Sequence, residues 1–377
     1  MRTRLLPLLV ATLGGVALPP AAAQNVALYD HWNGLTGFLY QNYSFDQGLL
    51  NGVKTSAQWA VPVVVVAPLG RGMSLDLTTN YAHSTVSLYS GQSQSLSGFT
   101  DTQLRWLYTL GRDRAVTSLS VNLPTGVHFP ASDLSVSGSV GSNFLSYPVT
   151  NYGTGFGVTG GAAYAARAGS WNLGLAGSLR YLATYKPFSD SANQAFKYTP
   201  GMEGRIRGGA DRLIGQGGHL VLGLTYSTFS TDTYAGSVSF TGGWYDPGSR
   251  FIGELGYAHL LGKNTLTFAA WDYYRLASGA SVNAPPKENI FDSELRFGWR
   301  ATTKLQLEPL VGFRQWSPAD YRGGRLYTVG ANARYAFAER FSGQMTARYG
   351  PGWVYDPTFG RADLHSTTLY LLLRYQY

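Results

Sequence analysis

The amino-acid sequence predicts an all-β fold: a transmembrane antiparallel β-barrel of about 16 strands, with about 14 as the alternative. Three observations lead to this prediction. Glycine and aromatic residues are abundant (Gly 47, Tyr 26, Trp 9) and only 13% of residues are charged, which favours strands over long helices. Apolar and polar residues alternate along most of the chain. Short and long connections also alternate, which is typical of an outer-membrane barrel.

The N-terminal stretch "MRTRLLPLLVATLGGVALPPAAAQ" has the features of a secretory signal peptide. Arg2 and Arg4 form a basic start, an apolar run follows, and Ala23 ends a small-residue cleavage site. A membrane anchor is the alternative, but Pro7 and a Gly-Gly pair interrupt the apolar run, which is too short to span a membrane. We therefore predict a signal peptide over residues 1–23 and one barrel domain over residues 24–377.

Period-two alternation continues through the rest of the chain and defines the predicted strands. They cover roughly 36–46, 54–67, 72–88, 98–110, 114–124, 152–167, 170–186, 198–213, 218–231, 249–261, 264–277, 287–301, 304–316, 323–338, 341–352 and 365–377. Tight turns are predicted at "LGRDR", "RAGS", "IGQGG", "LLGKN" and "ATT". Longer polar segments, at 89–98, 125–151, 187–197, 231–249, 278–289, 317–323 and 353–365, are predicted as outer loops. The strand-like stretch 236–246 is assigned to a loop, because the barrel needs an even number of strands.

The last strands show which face of the wall is apolar. The chain ends in "LYLLLRYQY", where Leu371, Leu373 and Tyr375 alternate with Leu372 and Arg374. Because side chains alternate faces along a strand, one face is apolar and the other accepts a cation. A soluble sandwich would bury its apolar faces between two sheets. Charges on the second face of nearly every strand instead favour a barrel with lipid outside and a wet lumen inside.

Aromatic residues next to the turns are predicted to form an interfacial girdle. They are Tyr108, Tyr164, Trp171, Tyr257, Phe268, Trp299, Tyr335, Phe341 and Tyr377. The terminal aromatic residue resembles the C-terminal signal that outer-membrane barrels present to their assembly machinery. Outer-membrane lipid and that machinery are therefore the expected partners, and a Gram-negative outer membrane is the expected location.

Polar positions of several strands are predicted to line the lumen. They are Asp101, Arg105, Asp292, Glu294, Arg296, Arg300, Lys304, Glu308, Arg314, Arg334, Arg348 and Arg374. Pairing around the "ATT" turn is expected to let Arg296 face Glu308. These charges either pair and solvate to keep the wall rigid, or form a basic strip that selects what passes.

Two other features bear on the pore. Pro62 and Pro309 lie inside predicted strands, where a missing N–H donor indicates a bulge or weakened pairing. At Pro62, a gap in the wall that releases an apolar solute sideways is the alternative to a plain bulge. The long segment 125–151, with Phe129, Phe144 and Tyr147, is either a constricting or binding loop or a loop that stays outside.

"GFTDTQLRWLYTL" (98–110), followed by "VNLPTG" (121–126), resembles a run found in the MetA-pathway phenol-degradation outer-membrane family. That family is similar to the FadL-type transporters of hydrophobic compounds. The matched positions are Asp101, Thr102, Pro124, Thr125 and Gly126, and the barrel pattern extends the resemblance over residues 52–377. The resemblance implies passage of small aromatic or fatty molecules. FadL-type proteins carry an N-terminal plug, but residues 24–50 contain a predicted strand and leave little chain for one.

Other chemistry finds little support in the sequence. The glycine run 155–160 matches a dinucleotide fingerprint in letters only, since a strand follows it. No clustered Lys/Arg run accompanies the formal charge of +8, so no nucleic-acid partner is expected. No cofactor or metal is expected, and the chain is not expected to be an enzyme. His83, or His259 near Glu254, would be the residues to examine in an enzyme barrel.

The sequence therefore predicts a passive channel for small hydrophobic or aromatic solutes. A general porin for hydrophilic solutes is the alternative, and an outer-membrane enzyme barrel is the third.

Overall fold

The computed structural model describes residues 32–49, 52–70, 72–110, 114–189, 196–236, 241–282, 284–319, 323–356 and 360–376. The predicted signal peptide and the predicted girdle residue Tyr377 lie outside these residues. The strands are β1 Asn33–Leu49, β2 Val53–Gly70, β3 Met73–Leu88, β4 Ser93–Phe99, β5 Thr102–Leu110, β6 Ala115–Leu123, β7 Phe129–Pro130, β8 Gly157–Ala168, β9 Trp171–Leu182, β10 Phe188–Ser189, β11 Lys197–Thr199, β12 Glu203–Ile214, β13 Gly218–Phe229, β14 Asp232–Ala235, β15 Gly243–Asp246, β16 Arg250–Leu261, β17 Asn264–Arg275, β18 Gly279–Ala280, β19 Glu288–Arg300, β20 Leu305–Pro318, β21 Gly324–Ala336, β22 Phe341–Asp356 and β23 Gly360–Gln376.

The large sheet closes into a barrel of 16 antiparallel strands, as the sequence predicts. Each barrel strand pairs with the next one along the chain, and β1 closes the ring by pairing with β23 from Asn33–Gln376 to Phe45–Leu364. Closure satisfies the backbone donors and acceptors that an open sheet edge would leave unpaired. The outer β7, β10, β11, β14, β15 and β18 do not belong to this ring.

One strand position is divided between β4 and β5. The sequence predicts a single strand over 98–110, but the structure interrupts it at Thr100 and Asp101. β5 pairs with both β3 and β6, whereas in the described part of the chain β4 forms a ladder with β3 alone. The backbone ladder of the wall is therefore interrupted on the β6 side of β4, beyond the last residue of β6, Leu123.

The two ends of the barrel differ in their connections. At the end that holds Gln376, called the turn end, neighbouring strands are joined through 71–72, 111–114, 169–170, 215–217, 262–263, 301–304 and 337–340. The opposite end, called the loop end, carries the long connections 124–156, 183–202, 230–249 and 276–287. The predicted loops 89–98 and 353–365 are shorter than expected, because β4, β22 and β23 extend into them.

Small elements cover the loop end. β11, β14, β15 and β18 form a four-stranded sheet, which contains part of the strand-like stretch 236–246 that was assigned to a loop. β7 and β10 pair in parallel. A 3-10 turn, Ala131–Asp133, leads into helix α1, Leu134–Val140. No helix in the described part of the chain is long and apolar enough to cross a membrane.

The two faces of the wall are the reverse of those of a soluble protein. Val311 and Val329 pair across β20 and β21 and are 55% and 54% exposed on the outer face, and Leu373 on β23 is 57% exposed. The buried apolar core lies inside the ring instead. Its wall members include Tyr43, Phe45, Ala60, Ala82, Val86, Leu96, Leu326, Val354, Ala362 and Leu364, and α1 with the chain after it supplies the rest.

Candidate functional site

The inner face of the barrel is the candidate site. Directly paired residues on neighbouring strands share a face, so the register fixes which side chains point inward. Val311 and Val329 are outward, and the adjacent positions on the same strands are therefore inward. By this register the inner face carries Arg105, Asp292, Glu294, Arg296, Arg300, Glu308, Arg314, Arg334, Arg348 and Arg374.

Arg314 connects the wall to the chain inside the lumen. Its Nε donates to the Asp292 carboxylate at 2.6 Å, and its Nη1 donates to the main-chain carbonyl of Phe144 at 2.9 Å. A guanidinium presents several donors in a fixed plane, so it can satisfy a carboxylate and a carbonyl together. Two of the predicted lumen charges, Arg314 and Asp292, thus form an ion pair, and Arg314 also holds the backbone at Phe144.

Glu294 receives two arginines. Arg296 lies two residues away on the same face of β19 and donates to it through Nε. Arg348, on β22, brings Nη1 to 2.8 Å from the other carboxylate oxygen. Because both cations share one buried carboxylate, this group keeps a net positive charge.

Glu308 does not face Arg296, and that prediction is wrong. The register pairs Arg296 with Leu310 and Arg300 with Gln306, because five residues, 301–305, separate the last paired positions, two more than in the three-residue "ATT" turn. Glu308 instead accepts hydrogen bonds from the amides of Gln306, at 2.7 Å, and Asn332, at 3.3 Å.

On the wall from β19 to β23, three arginines lie nearest the turn end. Arg300, Arg334 and Arg374 are inward on β19, β21 and β23. Arg334 donates to Gln344 at 3.4 Å. No carboxylate among the described residues lies within ion-pair distance of any of the three. Lys304 is exposed in the connection before β20 rather than on the wall.

Arg105, on β5, belongs to a separate ion pair with a residue of β3. Its Nε donates to the Asp76 carboxylate of β3 at 2.8 Å. The Asp76 side chain is almost fully buried, so the arginine compensates a carboxylate that would be costly to bury alone.

Asp101 organises the break between β4 and β5. One carboxylate oxygen accepts the main-chain N–H of Gly126 at 2.8 Å. The other accepts the main-chain N–H of Thr154 and the side-chain amide of Asn122. Beside it, Thr125 Oγ1 accepts the main-chain N–H of Thr102 at 2.8 Å. We call these six residues the clasp, because they join the two ends of the connection 124–156.

Glycine is needed at position 126 of the clasp, because two backbone segments of the chain are in contact there. A Cβ on Gly126 would lie 2.1 Å from the carbonyl oxygen of Tyr152 and 2.7 Å from Asp101 Oδ1. No side chain fits at such distances. The motif residues Asp101 and Gly126 therefore have a structural role in this chain: they hold the two ends of the connection 124–156 together.

After the clasp, residues 127–152 enter the barrel, and we call them the inserted segment. It includes Phe144, Tyr147 and Tyr152, which are buried. Phe144 stacks on Trp316 of β20, with ring centroids 5.7 Å apart, and Tyr152 lies against Ser84 of β3. A single segment contacts strands on both sides of the β23–β1 closure only if it lies within the lumen.

Wall side chains anchor the inserted segment through its backbone. Gln58 donates to the carbonyl of Val149 at 2.7 Å and accepts its N–H at 2.8 Å. Tyr43 and Gln41 both donate to the carbonyl of Leu145. In return, the Tyr147 hydroxyl donates to a wall carbonyl at 2.6 Å. Burial raises the pKa of Tyr147 well above its usual value, so the hydroxyl stays neutral.

Phe129, the third aromatic residue of the predicted constricting loop, lies further out. Its ring is 6.1 Å from that of Phe188, which stacks on Phe196 at 4.7 Å, and Phe196 stacks on Tyr234 at 5.5 Å. These four half-buried rings, here called the aromatic column, run from the inserted segment to the small outer sheet.

A second charged group was missed by the sequence analysis. On the wall opposite the inserted segment, Glu203 accepts from Arg205 at 2.6 Å and lies 3.7 Å from Arg180. Arg207 pairs with Glu254 across β13, where Gly223 leaves room for the two side chains to meet. The alternation in β12 gives the signal: Glu203, Arg205 and Arg207 occupy successive inward positions.

Pro62 and Pro309 do not sit at bulges. Pro62 pairs in register with Asn80 on β3, and Pro309 with Ala331 on β21. On its other side, Pro62 faces β1 and Pro309 faces β19. In each of these two ladders, two consecutive residue pairs are missing and the register is the same before and after the gap. The missing N–H thus weakens pairing with one neighbour only.

The histidines considered for an enzyme barrel do not converge with an acid. His83 is on the outer face, 2.5 Å from Ser97 Oγ, and stacks near Trp59. His259 is outward beside Tyr257, whereas Glu254 is inward. Within the described residues no group of His, Asp and Glu has a geometry that could hold a metal ion.

The sequence matches no protein-family model and no curated protein. Among solved structures, the fold is similar to a bacterial polysaccharide outer membrane secretin (10% identity, TM-score 0.48, 93% of this chain and 99% of that one). It is also similar to a mutant monoaromatic hydrocarbon channel (11%, 0.44, 92% and 90%) and an anion-selective porin from Comamonas acidovorans (10%, 0.42, 92% and 98%). Similarity at this level says nothing about the solute that this chain handles.

Proposed function

We propose that the protein is an outer-membrane channel through which small hydrophobic or aromatic solutes diffuse passively. The observation that carries the proposal is the inverted barrel. Its outer face is apolar and its inner face holds the charged groups, an arrangement that suits lipid outside and water inside. A 16-stranded barrel is also wide enough to enclose a channel rather than a side-chain core.

The proposed location of the protein is a Gram-negative outer membrane. Export by the signal peptide over residues 1–23 and assembly through the C-terminal strand β23 would deliver the barrel to a Gram-negative outer membrane. The turn end would then face the periplasm and the loop end the outside, as in other barrels of this kind.

The inserted segment would narrow the pore. Phe144 and Tyr147 hold it against one side of the wall, from β20 round to β3. The opposite wall, with Glu203, Arg205 and Arg207, would then line the open side. In this proposal the inserted segment is a fixed constriction, because its backbone is hydrogen bonded to Gln58 and Tyr43.

The aromatic column favours the proposal that the solute is aromatic or apolar. Rings that stack in a row at the loop end offer a surface on which planar solutes are favoured over water. The resemblance of residues 98–126 to a phenol-degradation family points the same way. We further propose that the weakened pairing beside Pro62 lets an apolar solute leave sideways.

Solute flux into liposomes tests the proposal. Purified protein in liposomes should accelerate uptake of benzenesulfonamide, a small uncharged aromatic compound, relative to empty liposomes. Heat-unfolded protein from the same preparation is the control. Uptake no faster than in empty liposomes would overturn the proposed function.

A general porin for hydrophilic solutes is the second candidate, and the charged inner wall favours it. The two are distinguished by conductance in planar bilayers. A general porin should conduct ions as an open pore does, whereas a narrow channel for aromatic solutes should conduct poorly while still passing benzenesulfonamide.

A further inference from the structure

The inner mouth at the turn end is lined by arginines on alternate strands. Arg300 pairs across the ladder with Gln306, and Gln306 with Arg334. Strands lie roughly 5 Å apart, so these two arginines arise roughly 10 Å from each other on one face. Arg334 on β21 pairs with Gln344 on β22. Two residues before Gln344 on the same strand, Ser342 pairs with Arg374 on β23. The three guanidinium groups therefore border one stretch of wall.

Among the described residues, these three arginines have no acidic partner, unlike Arg296, Arg314 and Arg348 on the same wall from β19 to β23. Deeper in the barrel, Arg314 is paired with Asp292, and Arg296 and Arg348 share Glu294. Near the turn end the described neighbours of Arg300, Arg334 and Arg374 are amides and hydroxyls. A cluster of like charges without counter-charges is unfavourable unless solvent or a bound anion compensates it.

The side chains also present unused donors. Guanidinium groups bind carboxylate, sulfonate and phosphate oxygens through two parallel N–H bonds. The carbonyl oxygen of Gln344 accepts from Arg334, and the NH₂ group of the same amide can act as a further donor. An uncharged solute forms weaker hydrogen bonds with such a surface than an anion does.

We propose that Arg300, Arg334 and Arg374 form an anion-binding strip, and that the channel prefers aromatic solutes that carry an anionic group, such as a carboxylate or a sulfonate. This inference rests on the proposed function, because the strip selects solutes only if solutes cross the lumen. Charges that line a pore set which ions pass. At physiological ionic strength they act over about 8 Å, which covers the water next to this part of the wall.

Flux of three ring compounds of similar size tests the strip. Benzenesulfonate is anionic, benzenesulfonamide is neutral and benzyltrimethylammonium is cationic. In liposomes, wild-type protein should pass benzenesulfonate fastest and the cation slowest. In the triple variant Arg300→Gln, Arg334→Gln, Arg374→Gln the preference for benzenesulfonate over the cation should fall by roughly fivefold, while benzenesulfonamide flux stays the same.

The control variant is Arg212→Gln. Arg212 is exposed on the outer face, over the ring of Trp171, so its loss removes a charge without changing the lumen, and the preference should not move. Equal flux of all three compounds in wild-type protein, or an unchanged preference in the triple variant, would overturn the strip but leave the channel. No flux of any compound would overturn the channel itself. Unchanged benzenesulfonamide flux also shows that the triple variant has folded.

Discussion

Arg348 on β22 and Glu294 on β19 have two other strands between them, yet the Arg348 guanidinium lies 2.8 Å from the Glu294 carboxylate. Neighbouring strands are about 5 Å apart, so the contact follows a chord across the curved inner wall rather than the ladder. The pair shows that the charged face is concave, which places it on the inside of the barrel.

Replacement of Glu294 should change the ion selectivity of the channel. Glu294→Gln removes the carboxylate that Arg296 and Arg348 share, so the lumen becomes more positive and the preference for anions should rise by roughly two- to fivefold. The reversal potential in a salt gradient across a planar bilayer measures it. The matched control is Asp363→Asn, which removes an acid from an exposed outer pair. A lowered anion preference in Glu294→Gln would contradict the assignment of this face to the lumen.

Replacement of Asp101 should loosen the clasp. Asn keeps one acceptor oxygen but replaces the second with an NH₂ group, which cannot accept from Asn122 and Thr154. We expect the free energy of unfolding to fall by about 2 kcal/mol, since hydrogen bonds to a charged group are lost. Urea unfolding in detergent measures this change. Asp363→Asn should change it by less than about 0.5 kcal/mol. Equal effects of the two substitutions would show that the clasp is unimportant.

The inserted segment can be fixed by a disulfide, because the chain contains no cysteine of its own. Ser56 Oγ and Ser139 Oγ lie 2.6 Å apart, so Ser56→Cys with Ser139→Cys should form a bond within one chain on oxidation. Electrophoresis before and after reduction detects it, and conductance should be the same in both states. Ser178→Cys on the opposite wall, combined with Ser139→Cys, should not cross-link. Failure of the first pair to cross-link would contradict the placement of α1 against β2.

The alkaline side of the stability profile should report on Tyr152. Its hydroxyl is 2.7 Å from Ser84 Oγ, and burial raises its pKa from 10.0 to about 12. The unfolded chain ionises first, so the contribution of Tyr152 is complete below pH 10.0 and declines as the pH rises toward 12. Tyr152→Phe lacks this ionisation. The difference in unfolding free energy between wild type and Tyr152→Phe should be constant below pH 10.0 and shrink by about 2 kcal/mol above it. A difference that is independent of pH would show that this hydroxyl is not buried.

The sequence predicts the strands well because their signal is local. Alternation alone places β21 at Gly324–Ala336, within two residues of the predicted bounds. It could not reveal the break at Asp101, because the residues on both sides alternate normally and the partners Asn122 and Thr154 are distant in the chain. Helix α1, "LSVSGSV", has a period of two in its own sequence and gives no sign of a helix.

The candidate site was predicted in part. Which arginines face the lumen follows from alternation, but which carboxylate each one meets does not. Two extra residues between the paired positions of β19 and β20 moved Glu308 away from Arg296. The curvature of the wall brought Arg348 to Glu294. The anchoring of the inserted segment by Gln58 and Tyr43 depends on contacts about a hundred residues apart, which no local pattern contains.

The inverted barrel itself is tested most directly by single cysteines at neighbouring positions of β23. Arg374→Cys and Leu373→Cys differ by one residue and, in this structure, by the face on which the side chain lies. In liposomes, a charged water-soluble thiol reagent should label the cysteine at 374 through the lumen and leave the cysteine at 373 unreacted in lipid. Labelling at 373 with protection at 374 would contradict the architecture and the channel together.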